Sequence, residues 1–160
     1  MRGNVDTRLR KLDDGEYDAV ILATAGLKRL GLEDRITEKI ETSVSLPAAG
    51  QGAVGIECRS DADDIKALLA AISHEQTSLC VHAERRVSTG LGANCNLPIG
   101  AFAVVAGEGF RIDGFVGDAG ESANHLRASR SGVVAEADQL AQSVTDELLS
   151  QGAAALIPEG

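Results

Sequence analysis

The feature that most constrains the fold is a change of pattern after Leu97. From there, apolar stretches at Ile99–Val105, Phe110–Val116 and His125–Ser131 are separated by glycine-containing turns, the signature of an antiparallel meander. A run from Ala135 to Ser150 follows, with Leu140, Val144, Leu148 and Leu149 at helical spacing and a stop at Gln151-Gly152. Ahead of the meander, Ser73–Ser88 reads as a helix with Leu79, Ala83 and Val87 on one face. The second half is therefore expected to be a small α+β domain, a three-stranded antiparallel sheet packed by helices, beginning near Ser73.

Upstream the order is helix, strand, helix. Thr7–Asp13, with Leu9 and Leu12 three apart, reads as a short amphipathic helix starting close to Arg2. The apolar run within Tyr17–Thr24 suits a buried parallel strand, and Gly26–Gly31 a helical turn, which together indicate an α/β layer. Thr42–Leu46 reads as another short strand. Pro47–Gly52 reads as a glycine-rich turn into a buried strand at Ala53–Cys58, and Asp61 or Asp63 as the cap of a helix through Ile72.

Composition narrows the function. A formal net charge of -9 and a pI near 4.7 argue against nucleic acid or an anionic membrane surface as partner, so an anionic ligand must be met by a local arginine cluster. The longest apolar runs, Ala19–Ala25 and Ala67–Ile72, fall far short of a membrane span, and no secretory signal is evident. A cytoplasmic setting, or an organelle stroma, is expected. Three cysteines without paired spacing indicate reduced thiols rather than disulfides or zinc. Aromatic content of 2% with no tryptophan leaves no stacking platform for single-stranded nucleic acid.

Few residues stand out as candidates. Arg2, Arg8 and Arg29 lie near the ends of the α/β layer, where ligands usually bind; their planar forks suit carboxylates, and surface ion pairs with the many acids are the alternative. Gly50-Gln51-Gly52 either lets backbone approach a bound group or simply turns the chain. Cys95, between Asn94 and Asn96 and ahead of Pro98, belongs to a loop and is either a reactive thiol or an ordinary loop cysteine. Cys58 and Cys80 read as buried and inert. His74, His82 and His125 show no metal-ligand spacing, and Asp13-Asp14 and Asp63-Asp64 read as solvated acids.

Four stretches carry a more specific signal: RGNVDTRLRKLDDGEYDAVILATAGLKRLGL from Arg2, SLPAAGQGAVGIECR from Ser45, HAERRV from His82 and NCNLPIGAFA from Asn94. In this order they resemble the hydroxymethylbilane synthase (porphobilinogen deaminase) family through essentially the whole chain. The resemblance implies stepwise condensation of porphobilinogen into a linear tetrapyrrole with release of ammonia. A dipyrromethane cofactor would be held covalently through Cys95, with Arg2, Arg8 and Arg29 on its acetates and propionates and Gln51 and Gly52 beside it. Porphobilinogen and the growing polypyrrole chain are the implied partners, and a monomer the implied state.

It further implies three parts: residues 1–46 as the end of a periplasmic-binding-protein-like α/β domain, 47–72 as a crossover returning to a first domain, and 73–160 as the cofactor-carrying α+β domain. That first domain, with the family's catalytic aspartate, is expected to lie outside the chain. No carboxylate here is then catalytic, no metal is needed, and the isolated chain is expected to be inactive. The alternative is a non-catalytic binding or structural module that keeps the fold. The loop differs from the family pattern at Ala93-Asn94, where Gly-Gly is usual.

Overall fold

Alternating side chains along three short segments, each joined to the next by a turn, give backbone groups partners close by in sequence. In the computed structural model these are β1 (Ile99–Ala106), β2 (Gly109–Gly117) and β3 (His125–Val133), an antiparallel sheet of order β1-β2-β3. Ala103 pairs with Ile112, and Ile112 with Arg130. Gly107 makes the first turn possible with a φ of 61°. The structure describes residues 3–92, 97–118 and 124–157, so Arg2 and Cys95 lie outside the described residues.

The chain divides into two compact units, Met1–Ile40 and Glu41–Gly160. In the second, one face of the sheet presents Ala101, Ala103, Phe110, Ile112, Val116 and Ala128 to two long helices, α4 (Glu75–Gly90) and α5 (Ala137–Ser150). Ala83, Val87, Leu91, Ala137, Ala141, Val144, Leu148 and Ala153 complete this core among the described residues, where each fully buried Val, Ile or Leu contributes about 1.5–3 kcal/mol. Close approach depends on small residues: a Cβ on Gly114 of β2 would lie 2.6 Å from Val144 Cγ1, and one on Gly90 would lie 2.7 Å from Thr145 Cγ2. The expected α+β architecture is thus observed. Gly152, at a φ of 99°, ends the α5 segment and opens a four-residue helix, α6 (Ala153–Leu156), that the sequence pattern did not announce.

The first unit holds α1 (Val5–Asp13), capped by Asn4 accepting from Thr7 N–H at 2.9 Å, and α2 (Thr24–Arg29). Leu9 and Leu27 are its buried residues.

Several expectations need correction. The stretches at Tyr17–Thr24 and Ala53–Cys58 form no strand: a strand exists by its ladder, and neither segment has a ladder partner among the described residues. Much of their apolar surface stays open, with Ile21 73% and Val54 83% exposed. Thr42–Leu46 is a turn and not a strand, because Glu41 O accepts from both Val44 N–H and Ser45 N–H. Neither Asp61 nor Asp63 caps the third helix, α3 (Asp63–Ala70): Asp61 pairs with Arg59 and Asp63 with Lys66, while Ala62 occupies the cap. Cys58 and Cys80 are half-buried rather than buried.

Candidate functional site

The glycine-rich segment folds as two successive turns. Gln51 N–H donates to Ala48 O at 3.0 Å and Ala53 N–H to Gly50 O at 3.1 Å. Gly50 and Gly52 take φ values of 74° and 89°, which side-chain-bearing residues rarely adopt. A Cβ on Gly52 would meet nothing within 4 Å, so the space before it is open. Gln51 and Gly52 are both exposed.

The turn is fastened to the α+β core at the free edge of β1. Along that edge, Ala101 N–H donates to Pro47 O at 3.1 Å and Ala103 N–H to Glu84 Oε1 at 2.9 Å. Backbone donors that would otherwise be unpaired are thereby satisfied. The second oxygen of Glu84 accepts Gly50 N–H at 2.7 Å. Glu84 is only 6% exposed and is one of the two polar residues within the described core.

Sequence reasoning missed Glu84. The signal was present: Cys80, Glu84, Val87 and Leu91 follow one helical face, so an acid stands on the stripe that Ala83 and Val87 bury.

A groove of about 390 Å³ opens beside this junction, lined by Gln51, Gly52, His74, Thr77, Cys80 and Val104 among others. Burial pushes the Cys80 thiol up, and the Glu84 carboxylate adds to the effect. His74 caps α4, its Nδ1 accepting from Thr77 N–H at 3.2 Å.

On the opposite face of the sheet, Arg127 donates to Ser43 O at 2.6 Å and Val44 O at 2.9 Å while lying 5.5 Å from the centre of the Phe115 ring. Arg111 on the same face pairs with Asp113.

Arg8 and Arg29 belong to the first unit, on α1 and at the end of α2. Arg8 Nε donates to Gly3 O at 2.9 Å. Neither guanidinium forms an ion pair among the described residues, although the chain carries 24 acidic residues. The alternative of ordinary surface ion pairs is therefore not what these two arginines show. Arg2 and Cys95 lie outside the described residues; the segment holding Cys95 joins the end of α4 to the start of β1.

Residues 1–67 match the family model described as porphobilinogen deaminase, dipyromethane cofactor binding domain, and residues 78–150 match porphobilinogen deaminase, C-terminal domain. The chain belongs to the porphobilinogen deaminase family. A relative named porphobilinogen deaminase, from Chromobacterium violaceum, is 51% identical over 157 residues. That alignment takes in 98% of this chain and 50% of the relative, so the chain spans about half the length of the curated relative. Within the family frame, Arg2, Arg8, Arg29, Gln51 and Gly52 fall in the part matched as cofactor binding domain, and Glu84 and Cys95 in the part matched as C-terminal domain. Among the described residues no helix is long and apolar enough to cross a membrane.

Proposed function

We propose that this chain supplies the cofactor-holding half of a hydroxymethylbilane synthase, which joins porphobilinogen units into a linear tetrapyrrole and releases ammonia. The observation that carries this reading is the pair of porphobilinogen deaminase matches, in order, over residues 1–67 and 78–150. A dipyrromethane held at Cys95 by a thioether supplies, when bound, the free pyrrole α-carbon to which new units are joined as ammonia leaves. Cys95 is the anchor of that group and not a nucleophile toward each incoming unit.

The residues fit such a group. Its rings carry carboxylates, and Arg8 and Arg29 offer guanidinium forks that no acid neutralises among the described residues. Arg2 has the same role by its place in the family pattern. The open space before Gly52 admits a planar ring close to backbone, and Gln51 adds an amide that can donate and accept.

On this reading residues 1–46 belong to a periplasmic-binding-protein-like α/β domain whose sheet takes in Ala19–Ala23, and residues 47–72, with Ala53–Cys58, cross to a first domain; strands from the remainder of a longer protein pair with both segments. The exposed Ile21, Val54 and Ile56 support that arrangement. The boundaries at 46 and 72, the cytoplasm and the monomeric state are parts of the same proposal. The test is porphobilinogen consumption. The 160-residue chain alone is expected to show little turnover, and the same chain joined to the remaining half of its Chromobacterium relative is expected to recover it. Failure of the joined protein to consume porphobilinogen would favour a non-catalytic module.

A further inference from the structure

We infer that the outer face of the meander, bordered by the Thr42–Leu46 turn, is a binding site for a small organic carboxylate with a flat apolar body. All the residues concerned belong to the second unit, Glu41–Gly160, and none is among those read as holding dipyrromethane. Strand alternation sends Ala101, Ala103, Ile112 and Ala128 into the core and their neighbours to the other face. There the register sets Val104 beside Arg111 and Arg111 beside Ser131, with Phe102 beside Asp113 in the next row. The turn passes close to β1, since a Cβ on Gly100 would lie 3.1 Å from both Leu46 Cβ and Pro47 O. Turn and sheet bound a cleft of about 520 Å³ with Leu46, Phe102 and Val104 in its lining, a volume within the range of small-molecule sites. Val104 is left 43% exposed there.

The charged residues of the lining are Arg111, Asp113 and Arg127. Arg111 donates from Nε and Nη2 to the Asp113 carboxylate at 2.9–3.3 Å, so these two offset each other. Arg127 forms no ion pair among the described residues. Its charge meets two backbone carbonyls, Ser43 O and Val44 O, and the Phe115 ring. The cleft therefore keeps a local positive charge in a chain whose net charge is -9. The carbonyls hold the guanidinium fork without neutralising it and occupy only some of its N–H groups, so little ordering is left to lose when an anion arrives. A carboxylate meets such a fork through charge-assisted hydrogen bonds, and Ser131 adds a hydroxyl to the same lining. An apolar body covers Leu46, Phe102 and Val104, which an inorganic anion would leave bare.

The 160-residue chain is titrated with phenylpropionate and, separately, with the uncharged phenylpropanamide. Amide shifts are followed at Leu46, Phe102, Val104 and Arg127. The acid is expected to saturate these shifts with a Kd of roughly 1–10 mM, and the uncharged probe to bind roughly tenfold more weakly. Arg127→Gln is expected to weaken the acid by a similar factor while the core amides of Ile112 and Val144 keep their shifts. Equal affinity for the two probes would overturn the inference, as would saturation by neither or shifts spread over both units. Unaltered binding of the acid by Arg127→Gln would overturn it too. Should that variant lose its core signals, the comparison of the two probes on the parent chain decides alone.

Discussion

Gly50 N–H lies 2.7 Å from a carboxylate oxygen of Glu84, a residue 34 positions later in the chain. The other oxygen of the same carboxylate meets Ala103 N–H at 2.9 Å. Removing a buried side chain that accepts from two backbone donors leaves both donors unpaired, and each then loses water without compensation. Glu84→Ala is therefore expected to destabilise the second unit by about 1–3 kcal/mol. Urea denaturation checks this, and a loss below about 0.5 kcal/mol would show that water replaces the carboxylate freely.

Gly114 sits where β2 passes beneath α5. A Cβ there would come within 2.6 Å of Val144 Cγ1 and 3.0 Å of Leu148 Cδ1. Gly114→Ala is expected to cost about 1–3 kcal/mol by overpacking, and the added change Val144→Ala to return part of that loss. Additive losses in the double variant, read by thermal unfolding, would place the strain elsewhere.

Cys80 is expected to alkylate more slowly in the folded chain than in the urea-unfolded chain, with its pH midpoint displaced upward. Burial and, after it, Glu84 raise the thiol above its ordinary value. Because the folded form holds its proton to higher pH, this contribution to stability is fully present below the unfolded thiol's pKa. It is lost as pH rises through the folded one. A midpoint at or below that of the unfolded chain, followed by iodoacetamide labelling, would contradict the assignment.

Amides of Ala19–Ala23 and Val54–Cys58 are expected to exchange close to unprotected rates in the 160-residue chain, while those of β1–β3 stay protected. The first group has no ladder partner among the described residues; the second has one within the same meander. Slow exchange at Ile21 and Val54 would mean that these segments find cover within this chain.

That contrast also explains how much was legible beforehand. The meander, α4 and α5 could be read because their partners are near in sequence and their periodicities differ, two for Phe110–Val116 and 3.6 for Leu140–Leu148. The run at Ala19–Ala23 shows the same apolar content, but content reports a tendency toward burial and not the presence of a neighbour. The turn at Gly50–Gly52 could be read because its positive φ values demand glycine at Gly50 and Gly52. Glu84 was hidden by its own motif: His82-Ala83-Glu84-Arg85-Arg86 looks like a solvated charge run until Ala83 and Val87 are seen to be buried. Asp61 and Asp63 failed as caps because nearby Arg59 and Lys66 pair with them.

The central claim is that Cys95 anchors a dipyrromethane, and intact-mass measurement tests it most directly. The chain is purified from a host that makes porphobilinogen, beside its Cys95→Ala variant, with Cys58→Ala and Cys80→Ala as controls. The account predicts a mass increase equal to one dipyrromethane on the parent and on both controls, and none on Cys95→Ala. An unmodified parent chain, or an adduct that survives Cys95→Ala, would contradict it.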